Sequence, residues 1–226
     1  HSIALRSAIA SHGNDHRLGA NEAPPSIMSV FLGSTITDIL EKFTAGTIYS
    51  PEAQKMLDIG ANQIVKFLKD NTDRNRTSPF AFTGNKFEFR AVGASAAIGL
   101  PLAVLNAAVA DILIEANKFI ENGLKQGTTL DEVLAQLIRE NYLNSKTVIF
   151  NGDGYSQDWV KEAEKRGLPN LRTSPEALVA FYDEKYHKFL LDLEVYRPNE
   201  LTSLLNVRLE RYIKHRYIEF DSLKRM

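Results

Sequence analysis

The 226 residues carry 27 Lys and Arg against 28 Asp and Glu, a formal net charge of -1, with 44% hydrophobic residues and no cysteine. That length and apolar content suit a domain with a real core, whereas the charge balance argues against a nucleic-acid binder working through a broad basic field. Without thiols there is no disulfide framework and no cysteinyl metal site.

The start, HSIALRSAIASHG, has neither a charged leader nor a cleavage signature. No apolar run is expected to approach the ~20 residues of a membrane span. The expectation is a soluble, cytoplasmic protein with no membrane and no nucleic acid among its partners. Ile3, Leu5, Ala8 and Ile9 already recur at helical spacing with no N-cap before them, so the chain reads as a piece of a longer one.

In chain order, residues 1–11 predict a helix ended by Gly13, followed by an irregular loop from Asn14 to Pro25 that carries Arg17 and Glu22. Read locally, those two form an ion pair that ties the loop down; loops of this kind also commonly carry function. Residues 27–43 and 52–68 show helical spacing and are expected to pack on the next element. Residues 71–78 are a polar linker ending near Arg76.

Residues 79–90 predict a β-hairpin turning at Gly84-Asn85. Period-two alternation puts Phe80, Phe82, Phe87 and Phe89 on one face, expected to be core, and Lys86, Glu88 and Arg90 on the other. That second face is either a solvated surface with a cross-strand ion pair or a polyanion and metal site. Spacing alone does not choose between them.

Beyond the hairpin, residues 93–122 read as a long apolar helix stopped by Gly123, its small residues serving packing. Thr129 and Glu132 form a capping box opening a helix over 130–144. Residues 148–150 suggest a short strand and 151–154 a turn. A helix over 158–166 closes with Gly167. Another, capped by Ser174, runs toward Tyr196. Residues 199–226 are helical, with Arg208, Arg211, Lys214, His215 and Arg216 on a solvated or subunit-facing surface. The fold class is α+β, predominantly helical, with a short antiparallel hairpin packed by long helices and a helical C-terminal segment. The expected division is 1–150 and 151–226.

Three separated phrases sharpen this reading: NRTSPFAFTGNKFEFR at 75–90, GNDHRLGANEAPP at 13–25, and FNGDGY at 150–155 continuing to GLPNL at 167–171. In wording and order they resemble the long-subunit, type III class of the glutamine synthetase family. The resemblance implies that 1–150 is the C-terminal part of a catalytic domain and 151–226 a helical extension. It also implies ATP-dependent ligation of ammonia to L-glutamate with Mg2+ or Mn2+, in a ring-shaped homo-oligomer.

Residue by residue, the resemblance implies that Arg17 grips the glutamate carboxylate and Glu22 takes a proton from ammonium. Arg76 faces the transferring phosphate, Lys86 the nucleotide, Glu88 a metal ion and Arg90 the substrate. Ala81 stands where the short-subunit class has a second arginine, and the family's other metal-binding acids and its metal-binding histidine lie upstream of the matched region. Two readings outside catalysis stay open: an assembly or regulatory module retaining the fold, and a helical interaction domain.

Overall fold

The computed structural model describes residues 1–18, 25–46, 78–93 and 96–226, with the backbone of two short strands at 56–57 and 67–68. The architecture is α+β and mostly helical. A three-stranded mixed sheet joins β1 (Val30–Phe31), parallel, to β4 (Phe80–Phe82), which pairs antiparallel with β5 (Phe87–Phe89).

The hairpin forms as its turn chemistry dictates. Gly84 adopts φ 98, a left-handed value glycine takes without strain, and Thr83 N–H donates to Lys86 O at 2.8 Å, closing a two-residue turn. The register Phe80↔Phe89 and Phe82↔Phe87 puts the four phenylalanines on one face, and Phe80 stacks on Phe87 at 5.1 Å. That face is only partly covered. Phe87 is 46% exposed, whereas Ala81, on the face of Glu88, is fully buried. Phe31 of β1 lies beside Ala81 in the parallel register.

Two expected helices give way to strands. Residues 27–31 bridge and pair instead: Ile27 to Asn170, Val30 to Phe80 and to Ile149. Gly33, at φ 80, blocks a helix from running through, and α2 begins there (Gly33–Thr44). Its first amides are capped by Asn151, whose Oδ1 accepts from Leu32 N at 3.0 Å and Gly33 N at 2.9 Å. Further on, β2 (Met56–Leu57) pairs antiparallel with β3 (Phe67–Leu68) where one helix over 52–68 was expected. Gly60 and Asn62, poor helix formers, lie between them in sequence.

The helical layer begins with α1 (Ser2–Ala8) and α3 (Gly99–Lys125). Gly123 does not stop α3; it lies inside it. A Cβ there would meet Val133 Cγ2 at 2.5 Å, so the missing side chain is what lets α4 (Leu130–Ser145) approach. The chain turns at Gly127, φ 85, and α4 opens on the expected capping box, Thr129 N to Glu132 Oε2 at 3.0 Å. α2 packs on α4 rather than on the hairpin. Residues 146–148 form a 3-10 turn, and strand-like pairing is left to Ile149 and Phe150.

In length and composition α3 could cross a membrane, against the expectation of no such run. However, Asp111, Glu115 and Lys118 recur along it at one-turn spacing. In hydrocarbon each would cost roughly 2.5–3.5 kcal/mol at a helix centre. In this structure the helix packs on α1 and α4.

α5 (Gln157–Lys165) is capped by Ser156 and closed at Gly167, φ 72. Its Trp159, 1% exposed, stacks on Phe150 at 3.7 Å and makes a second small core with Ile27. The helix expected to run from 174 toward 196 is broken. α6 (Ser174–Ala180) ends early and α7 (Lys188–Asp192) follows a 3-10 turn. Thr173, not Ser174, caps α6, sharing a capping box with Glu176.

α8 (Pro198–Ile213) continues through a π-helical stretch at 214–219 into α9 (Phe220–Arg225). The main core joins Ala4 and Ala8 of α1, Val104 of α3, Leu178 of α6, Leu190 of α7 and Leu205 of α8, so it draws on both sides of residue 150.

Candidate functional site

Two structural units carry the chemistry-bearing residues. The first is the charged face of the hairpin. Lys86 Nζ lies 3.2 Å from Glu88 Oε1, and Arg90 reaches Glu88 Oε2 with two nitrogens, each at 3.0 Å. Alternation along β5 produces this row, and Arg90 N–H donating to Pro79 O at 2.6 Å extends the ladder past the strand. The hydrogen bonds from Arg90, and then from Lys86, hold the Glu88 carboxyl below the usual carboxylate range. Side-chain exposure falls from 62% at Lys86 to 22% at Arg90, so the row runs from open solvent toward the protein.

The second unit is the turn over residues 11–18, where Arg17 N and Leu18 N both donate to Asn14 O. Asn14 is fully buried, and its Nδ2 donates at 2.6 Å to Ile9 O and at 2.6 Å to Val92 O. The contact with Val92 joins the turn carrying Arg17 to the strand exit just past Arg90. The Arg17 side chain is exposed.

Behind the turn lies a partly buried charge network. Asp15 accepts from Ser174 Oγ at 2.6 Å, Ser174 N at 2.9 Å and the Tyr212 hydroxyl at 3.2 Å, with Arg6 3.8 Å away. Arg6 donates to Leu171 O at 2.7 Å. Arg208 donates to Ala8 O at 3.0 Å and Ala10 O at 2.5 Å. Burial, and then the Arg6 cation, push Arg208 down to about 10, still charged at neutral pH. The expectation of a solvated surface therefore fails at Arg208, whose guanidinium is used inside the protein.

Of the residues singled out, Arg17, Lys86, Glu88 and Arg90 lie in these two units; Glu22 and Arg76 lie outside the described residues. No group of three or more metal-ligating side chains occurs among the described residues. Glu88 has both oxygens engaged by cations, and hard divalent ions want six or more oxygens. On its own Glu88 therefore does not make a Mg2+ or Mn2+ site. Ala81, opposite Glu88 and wholly buried, shows why arginine is foreign to that position: its side chain would have to displace packed neighbours. A groove of about 580 Å³ on α8 and the two residues Val195 and Tyr196 ahead of it shares no residue with either unit.

Residues 133–226 match the family described as the glutamine synthetase C-terminal domain. Over 95% of its length the chain is 43% identical to a glutamine synthetase of Bacteroides fragilis. The chain belongs to the glutamine synthetase family. It is also 41% identical over 99% of its length to a type-3 glutamine synthetase of Dictyostelium discoideum, and 38% identical over 98% to a glutamine synthetase of Butyrivibrio fibrisolvens. The chain spans about 30% of the length of these relatives.

The sequence reading missed Asn14, Asp15, Ser174 and Tyr212. Asn14 and Asp15 stand inside the phrase GNDHRLGANEAPP, but nothing local says that their partners are Val92, Ser174 and Tyr212.

Proposed function

We propose that this chain supplies glutamate- and phosphate-facing side chains of a ligase that forms glutamine from L-glutamate, ammonia and ATP. The γ-carboxylate of glutamate attacks the terminal phosphorus of ATP, giving γ-glutamyl phosphate and ADP. Ammonia, freed of its extra proton by Glu22, then attacks the acyl carbon, and phosphate leaves.

Arg17 and Arg90 bind the amino-acid substrate, Arg76 neutralises charge on the transferring phosphoryl group, and Lys86 meets the nucleotide. Chemistry of this type rests on positioning and electrostatic stabilisation, for which planar guanidinium groups suit carboxylate and phosphoryl oxygens. The protein works as a cytoplasmic homo-oligomer.

The observation that carries the reading is the Asn14 to Val92 hydrogen bond, 2.6 Å long. It brings the turn of Arg17 beside the strand of Glu88 and Arg90 within a chain 43% identical to a glutamine synthetase. The test is glutamine formation by the full-length protein supplied with glutamate, ammonium, ATP and Mg2+. Wild type forms glutamine and ADP together, and Arg90→Lys loses most of that activity because lysine cannot replace a bidentate fork. Absence of glutamine formation, or full activity in Arg90→Lys, rejects the proposal.

A further inference from the structure

One face of the C-terminal helix reaches the start of the substrate turn at successive helical steps. Arg208, Tyr212 and His215 stand at i, i+4 and i+7, so they share a stripe. Arg208 donates to the carbonyls of Ala8 and Ala10, Tyr212 to Asp15, and His215 stacks on His12 at 4.1 Å. From the other side Ser174, the first residue of α6, donates its hydroxyl to Asp15 Oδ1 at 2.6 Å, with Ser11 O a second acceptor at 3.0 Å for the same hydrogen, and its N–H to Asp15 Oδ2.

These contacts converge on residues 8–15. Arg17, two residues beyond Asp15, is exposed. Asp15 is where the stripe and α6 meet, since its Oδ2 receives both Ser174 N and the Tyr212 hydroxyl.

We propose that Asp15 is a positioning residue, gripped by Tyr212 and Ser174, through which the C-terminal helices hold the turn and aim Arg17 at the glutamate substrate. The inference rests on the reading of Arg17 as a glutamate-binding residue. It goes further in giving the C-terminal helices a part in substrate affinity. Asp15 touches no substrate itself; it acts through the backbone of the turn, whose Arg17 and Leu18 amides are held by Asn14 O at 2.9 and 3.2 Å.

The chemistry of the site separates three variants. Tyr212→Phe removes one hydroxyl donor and no volume. Asp15→Asn keeps the hydrogen bonds, because the new Nδ2 can donate to Ser174 Oγ while the hydroxyl hydrogen turns to Ser11 O; it removes only the charge beside Arg6. Asp15→Ala removes every acceptor.

The experiment is steady-state kinetics on the full-length protein, with amide hydrogen exchange over residues 14–18 and a thermal melt for each variant. Tyr212→Phe is expected to raise the glutamate KM about tenfold, the lower end of what one hydrogen bond to a charged group is worth, leaving kcat and the ATP KM unchanged. Asp15→Ala is expected to raise it further and Asp15→Asn to restore most of it, and exchange at Arg17 and Leu18 quickens in the same order.

A glutamate KM unmoved by Tyr212→Phe and Asp15→Ala, or exchange unchanged across the series, overturns the proposal. So does a fall in kcat alone. Should Asp15→Ala not fold, Tyr212→Phe decides by itself. An Arg17→Ala variant keeps the two ideas apart: an unchanged glutamate KM there rejects Arg17 as the substrate residue, and the exchange rates still decide whether Asp15 orders the turn.

Discussion

Asp15 and Glu88 are each a single carboxylate set among cations, yet their surroundings assign them opposite work. Asp15 is closed in by Ser174 and Tyr212, from distant parts of the chain, and by Arg6 of α1. Among the described residues Glu88 has its neighbours along one strand, Lys86 and Arg90, as ionic partners, and it stands at the surface. Removing one member of a buried, hydrogen-bonded charge network leaves the others without water or partner. Exposed pairs are screened and contribute little to stability, so their charge stays available to a ligand. The first cluster holds the fold, and the row of Lys86, Glu88 and Arg90 opens onto solvent at its Lys86 end.

That contrast can be broken by mutation. Arg208→Ala removes two charge-assisted hydrogen bonds and strands the carbonyls of Ala8 and Ala10, so urea unfolding should show a loss of about 3 kcal/mol. A loss too small to resolve would mean the first cluster is not structural. Tyr212→Phe, deleting one hydroxyl that donates to the Asp15 carboxylate of the same cluster, should lose about 1.5 kcal/mol. Glu88→Gln should leave the urea midpoint where it was, because its partners remain hydrated.

The smallest effect sharpens the comparison through pH. The Glu88 carboxyl is held below its ordinary value by Arg90 first and Lys86 second. Its contribution to stability is therefore present above the unfolded carboxylate pKa and fades as pH falls through the lower folded value. NMR titration should place Glu88 below the ordinary glutamate range, and Arg90→Gln should bring it back up. In 1 M salt, where the screening length is about 3 Å, the wild-type value should also rise.

What the sequence disclosed was local. Gly84-Asn85 declares its own turn, Thr129 and Glu132 their capping box, and Lys165-Arg166-Gly167 the end of α5, because each motif's partners lie within a few residues. Distant pairing stayed hidden. Ile27–Phe31 has helical spacing, but the parallel register with Phe80 and the left-handed Gly33 decide for a strand. The phenylalanine face looked like core, yet Phe87 is 46% exposed, while Ala81 on the other face is buried beside Phe31. Arg208 looked solvated because its two carbonyl acceptors lie about two hundred residues earlier. For the site, the hairpin row was legible from alternation, whereas the bond from Asn14 to Val92 and the grip on Asp15 were not.

The measurement that bears most directly on the account pairs glutamine formation with unfolding free energy for Arg90→Lys in the full-length protein. The account predicts an unchanged unfolding curve with most glutamine formation lost. Retained glutamine formation, or a loss of activity that merely follows a loss of stability, would contradict it.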